Sequence, residues 1–205
     1  MIQYPHGCVE QTTSAVFPQL YVSNIIDLDS KQKSEIEKNI KAGIKRLSSF
    51  QISNGGFAYW QGGSDASVWG TNYAGHFLIE AKKKGYPVSS SIIQSWRKYQ
   101  TNKAKNWTND GPSSQLVQAY RLYTLALAGY PAKSAMNRMK NIKQLSNSAK
   151  WRLAAAYYLS GKKSTAESMI AGLSTYVQKY IELSYTYGSD TRDKAMMLET
   201  LTLLG

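Results

Sequence analysis

Apolar residues recur along this chain at i, i+3 and i+4, and strict apolar–polar alternation is scarce. That periodicity reads as amphipathic helix rather than strand. It predicts helices over 12–26, 33–51, 67–84, 90–100, 113–128, 133–143, 146–159, 164–173 and 191–204, an all-α fold. Gly85-Tyr86-Pro87 and Gly129-Tyr130-Pro131 each stop one helix and begin the next, and Gly161 does the same after Tyr158-Leu159. Glycine ends a helix by accepting a left-handed backbone, and proline cannot continue one. Ser113, just after Gly111-Pro112, and Ser30 read as helix starts. The elements therefore come as helical hairpins with uneven spacing. A tandem tetratricopeptide array would hold a fixed period of about 34 residues. Uneven hairpins fit a solenoid closed on itself, an α/α toroid, although the pattern alone does not separate this from an open array.

Two stretches break the helical pattern. Residues 52–66 hold four glycines among aromatics, and Phe57, Tyr59 and Trp60 are expected to fold back onto the core. Residues 101–112 are polar and read as a surface loop. Within it, Asn106-Trp107-Thr108 matches a glycosylation triplet that is common by chance. The chain opens abruptly on a motif and closes inside an apolar helical run (Leu198, Leu201, Leu203, Leu204). It is expected to be a piece of something longer, residues 1–205 forming one domain fragment and an incomplete toroid.

Composition narrows the class. A chain of 205 residues with 42% hydrophobic and 19% charged residues can bury a core without staples. No apolar run approaches the roughly 20 residues of a membrane span, so direct membrane insertion is not expected. No basic, then apolar leader is visible at the start. The net charge of +12 raises nucleic acid and anionic lipid as partners. Yet no basic run exceeds three residues and none is interleaved with aromatics, so a solvated lysine-rich surface is the reading and no nucleic-acid partner is expected. One cysteine and two histidines leave no disulfide and too few ligands for a zinc set, so neither metal nor cofactor is expected.

The single cysteine sits in Tyr4-Pro5-His6-Gly7-Cys8-Val9-Glu10-Gln11-Thr12-Thr13-Ser14. A lone cysteine is usually a small buried hydrophobe. Here, however, a glutamine follows three residues on, and i, i+3 side chains on a helical turn share one face. Pro5 biases the chain before it and Gly7 permits a sharp bend into Cys8.

Gly7-Cys8-Val9-Glu10-Gln11 resembles the thioester signature of α2-macroglobulins and complement-type thioester proteins. Asn54-Gly55-Gly56-Phe57-Ala58-Tyr59-Trp60 resembles the Gly-Gly-Phe loop of those domains. Trp69-Gly70-Thr71-Asn72-Tyr73-Ala74-Gly75-His76-Phe77-Leu78 is similar to their following helix, and Tyr187–Ala195 to a late segment of the bacterial members. The matches run in the family's order over nearly the whole chain. The resemblance implies an internal thioester between Cys8 and Gln11, and a bacterial endopeptidase inhibitor that captures attacking proteases covalently through their lysine amines. It implies a chain that is not an enzyme, an extracytoplasmic (periplasmic or cell-envelope) parent, and other domains of that parent as partners. Glu10 is the motif acid, which either tunes the site or bonds backbone. Tyr4 is a candidate shield against water. His6 stands where relatives carry an aromatic and is read as a packing substitute, and His76 as a core histidine. Asp190, Arg192 and Asp193 are expected to cap and salt-bridge the last helix.

Other classes fit less well. A terpenoid cyclase on a toroid needs clustered aspartates, and only Asp27-Leu28-Asp29 comes close. A thiol protease built on Cys8 with His6 or His76 lacks an orienting partner. The alternative that stays open is an all-helical interaction scaffold in which the thioester is not formed.

Overall fold

The computed structural model describes residues 2–205. Among them it is helical without a single strand, which bears out the all-α reading. The helices are α1 (Val9–Val16), α2 (Ser30–Ser48), α3 (Val68–Lys83), α4 (Ser90–Lys105), α5 (Gly111–Leu127), α6 (Lys133–Lys140), α7 (Asn147–Leu159), α8 (Lys163–Ile170) and α9 (Asp190–Leu204).

Most boundaries fall close to the periodic pattern, and the departures have local causes. The helix expected over 12–26 starts earlier, at Val9, because Cys8 is its N-cap. It ends at Val16 because Pro18 has no N–H to return to the carbonyl of Ser14. Short 3₁₀ turns over Pro18–Leu20 and Val22–Asn24 follow instead. Helix α2 starts at Ser30, with Asp29 rather than Ser30 as its cap. The Asp29 carboxylate accepts from the N–H of Gln32, and Gln32 Oε1 accepts from the N–H of Asp29. Helix α4 runs five residues into the stretch read as a surface loop. Nothing in Thr101–Lys105 breaks a helix, and Ala104 is fully buried. Pro112 does not precede α5 but sits in its first turn, where a missing N–H costs nothing.

Two compact units divide the chain, the first ending at Tyr99 and the second covering Gln100–Gly205. In the first unit, α1 lies against both α2 and α3, and glycine makes each approach possible. A Cβ on Gly43 of α2 would fall 2.8 Å from both methyls of Val16, and one on Gly70 of α3 would fall 2.5 Å from Cγ1 of Val9. Val9, Val16, Ile40, Leu47, Phe50, Phe57, Phe77 and Trp96 form the core beneath. The glycine loop folds onto that core only in part. Phe57 is fully buried and Tyr59 half-buried, but Trp60 stands 56% exposed with its ring edge-on to Tyr59. The loop is pinned by the N–H of Ala58 on the carbonyl of Phe50 (2.8 Å) and the N–H of Ser67 on that of Phe57 (2.8 Å). The 3₁₀ turns are tied to α3 by the Tyr21 hydroxyl, which donates to Glu80 (2.5 Å). Burial raises the Glu80 carboxyl, but the bonds from Tyr21 and Lys83 outweigh it and hold the group below its ordinary range.

In the second unit α7 packs against α5, α8 and α9. Its alanines Ala154, Ala155 and Ala156 are fully buried, so neighbours can close in. Arg152 on α7 is 2% exposed, lies over the ring of Tyr123 at 4.0 Å, and pairs with Glu199 of α9 at 2.6 Å. At the start of α9 the capping residue is Ser189, one before the expected acids. Asp193 is ion-paired with Arg192 and accepts from Ser148 and Tyr180.

Candidate functional site

The N-terminal turn of α1 is where the motif becomes geometry. An α-helix opens with four N–H groups that have no partner inside it. Here Cys8 and Gln11 satisfy two of them reciprocally. The Cys8 sulfur accepts from the N–H of Gln11 (3.5 Å), and Gln11 Oε1 accepts from the N–H of Cys8 (3.1 Å). A third, the N–H of Val9, goes to the carbonyl of Tyr59 in the glycine loop (3.0 Å). The sulfur and the carboxamide are thus folded over the same turn. The cysteine is buried (1% exposed) and the glutamine exposed.

Gly7 makes this fold-back possible. Its φ is +78°, and a Cβ there would stand 2.1 Å from Gln11 Oε1 and 3.0 Å from the carboxamide carbon. The segment before it is held from two sides. Arg46 on α2 donates to the carbonyl of Gly7 (2.7 Å) and to the hydroxyl of Thr12 (3.1 Å). Thr12 in turn donates to the carbonyl of His6 (3.3 Å). Further back, buried Gln19 donates to the carbonyls of Gln3 and Ala15 and accepts from Asn39.

The other motif residues fall outside this pair. Glu10 accepts from the Ser14 hydroxyl one turn on (2.8 Å). It faces Tyr73, whose phenol burial holds above its ordinary value, Ser14 opposing and Glu10 adding to the effect. His6 is exposed, so it does not pack as an aromatic substitute would; its carbonyl, not its ring, carries its contact. His76 is 6% exposed, edge-on to Phe17 at 4.8 Å, as a core histidine would be. Tyr4 is 59% exposed. Thr12, Tyr59 and Gly70 lie in motif segments that the sequence already singles out, but their contacts with this turn are not legible there; Arg46 and Gly43 lie outside every such segment, and no local sequence signal marks them. Among the described residues no group of three His, Cys, Asp or Glu side chains could hold a metal, and no helix is long and apolar enough to cross a membrane.

Chemically, a thiol lies next to a carboxamide whose oxygen already receives a fixed backbone N–H. That is the arrangement acyl transfer needs: a nucleophile, a carbonyl, and a donor at the oxygen where charge develops.

Known proteins share sequence and fold with this chain. The family model described as the A-macroglobulin TED domain matches residues 1–106. The α2-macroglobulin of Escherichia coli K12 is 41% identical over 96 residues, 44% of this chain and 6% of that protein. That of Xylella fastidiosa (strain Temecula1) is 24% identical over 97% of this chain and 13% of its own length. Among solved structures, trypsin-activated α2-macroglobulin from E. coli superposes with a TM-score of 0.78 at 28% identity, over 97% of this chain and 14% of that one. Salmonella α2-macroglobulin reacted with methylamine gives 0.78 at 29% identity over the same shares. The chain therefore spans only a small part of the length of the relatives it matches. With the family model covering more than half of it and the fold shared throughout, the chain belongs to the bacterial α2-macroglobulin family and carries its TED domain.

Proposed function

We propose that Cys8 and Gln11 condense to an internal thioester and that this bond captures attacking proteases covalently. The sulfur adds to the Gln11 carboxamide carbon, the S–C bond forms, the C–N bond breaks, and ammonia leaves with the thiol proton. Later an amine of the target, a lysine side chain, attacks the same carbon. The new C–N bond forms, the S–C bond breaks, and the amine's proton goes to the departing Cys8 sulfur. Each molecule does this once, so the chain is a trap and not an enzyme. Residues 1–205 act in this reading as one thioester domain, the helical hairpins of the two units belonging to an α/α toroid. Other domains of the parent protein and the target protease are its partners, and its place is extracytoplasmic, in the periplasm or cell envelope.

The observation that carries the proposal is the reciprocal hydrogen bonding of Cys8 and Gln11 on one turn. Exposure of Gln11 also suits a carbonyl that an amine must reach. The same exposure calls for a shield against water until activation. Tyr4 is too open to provide one alone, and in this reading another surface of the parent supplies it.

Intact mass and free-thiol content before and after methylamine, with Gln11→Ala as control, test the proposal. A mass short by one ammonia, a thiol that appears only on treatment, and a methylamine adduct at Gln11 are the expected results. A titratable thiol from the outset with no adduct would instead leave a non-covalent helical scaffold.

A further inference from the structure

We propose that Arg46 is a positioning residue for the thioester: by holding the carbonyl of Gly7, it aims and strengthens the Cys8 N–H that meets the Gln11 carbonyl oxygen. The inference rests on the Cys8–Gln11 reading above and adds to it a residue that the motif does not contain.

The geometry is a relay through one peptide unit. The carbonyl of Gly7 and the N–H of Cys8 are the two ends of the same planar amide. Arg46 Nη2 donates to the oxygen end at 2.7 Å, and the nitrogen end donates to Gln11 Oε1 at 3.1 Å. A cationic donor on an amide oxygen draws electron density from the nitrogen, and its N–H then becomes a stronger donor. When sulfur or an amine adds to the Gln11 carbon, the carbonyl electron pair moves onto Oε1. The Cys8 N–H stands at that oxygen, and Arg46 supports it from behind. A preorganised donor of this kind acts without reorganisation during the reaction.

The position of Arg46 is itself fixed. It lies in the last turn of α2, where the helix dipole favours a cation, and its guanidinium sits 5.4 Å from the ring centre of Phe50. Its second donor, Nε, goes to Thr12, whose hydroxyl holds the carbonyl of His6. One planar fork therefore fixes two successive carbonyls ahead of Cys8. A lysine offers a point charge without that fork and could keep only the Gly7 contact.

The test compares the unaltered chain with Arg46→Met, Arg46→Lys and Thr12→Val. The readouts are thioester content by intact mass, the methylamine rate per thioester, the thermal midpoint, and the infrared stretch of the thioester carbonyl labelled with ¹³C at glutamine. Arg46→Met is expected to slow aminolysis about tenfold, less than the 10²–10³ of deleting an oxyanion donor outright. Its carbonyl stretch should move to higher wavenumber as the Cys8 N–H weakens. Arg46→Lys should fall between the two, and Thr12→Val, which removes the acceptor of Arg46 Nε but spares the Gly7 contact, should shift the carbonyl stretch less than Arg46→Met. A purely structural Arg46 would lower the thermal midpoint and leave rate per thioester and carbonyl frequency unchanged, which overturns the proposal. If Arg46→Met does not fold, Arg46→Gln, which removes the cation, takes its place, and an unshifted carbonyl stretch there overturns the proposal equally. A free thiol with no thioester in the unaltered chain overturns the Cys8–Gln11 reading and this proposal with it.

Discussion

A glycine decides whether the side chains of Cys8 and Gln11 can meet. Gly7 has two separate reasons to lack a side chain: its left-handed φ, and Gln11 folded into the space a Cβ would take. Other glycines allow the two to be separated. Gly85 has a similar φ of +88° with no atom within 4 Å of a would-be Cβ. Gly85→Ala should therefore cost about 1–2 kcal/mol of backbone strain and leave the thioester intact. Gly7→Ala should cost at least that much and also displace the Gln11 carboxamide. Denaturant midpoints paired with methylamine incorporation check this. Full incorporation in Gly7→Ala would mean that the observed fold-back of Gln11 is irrelevant to bond formation.

Among the elements, what could be read in the sequence was whatever is local. Helix periodicity, the glycine stops at 85, 129 and 161, and the spacing of Cys8 and Gln11 all lie within a few residues of their cause. The misread boundaries were local too, but two signals competed: Pro18 cut an apolar pattern that continued beyond it, and polar Thr101–Lys105 stayed helical for want of a breaker. The missing part of the site was of another kind. Arg46 reaches Gly7 across 39 positions of chain, and only the packing of α1 against α2, through Gly43, brings them together. The same holds for Arg152 and Glu199, 47 residues apart, which fasten α9 to α7. Burial works against the Arg152 charge, and Glu199 more than restores it, so the guanidinium stays firmly protonated. Two of its nitrogens have no hydrogen-bond acceptor and rest among the Tyr120 and Tyr123 rings. Loss of one partner should then be asymmetric. Glu199→Gln leaves a buried cation without its counter-charge and should cost about 3 kcal/mol. Arg152→Met leaves a carboxylate that water already reaches and should cost less, and the double variant Arg152→Met/Glu199→Gln should recover part of the loss. Urea denaturation of the four proteins measures the coupling; equal costs for both single variants would show that burial of the charge is not what matters.

For the whole molecule, 25 basic residues face 13 acidic ones, and the excess is spread along the chain rather than gathered into a stripe. A diffuse positive field cannot read a particular partner, but it does act on encounter rate. The proposed thioester, carried on such a chain, would also meet copies of itself, whose lysines are competent nucleophiles. The net charge of +12 opposes that encounter and favours one with a protein of opposite sign. Once the thioester is open to attack, an acidic protein should be conjugated about tenfold faster than a basic protein of similar size and lysine content at low salt. The ratio should approach one at 1 M salt, where the screening length falls to about 3 Å. Methylamine reacts as the neutral free base and has no charge to steer, so its rate should hardly change over the same range. Gel analysis of conjugates at several ionic strengths, with methylamine run alongside, separates steering from reactivity. A preference that survives high salt would place selectivity in direct contacts around Gln11, and equal rates at low salt would reduce the lysine-rich surface to solubility alone.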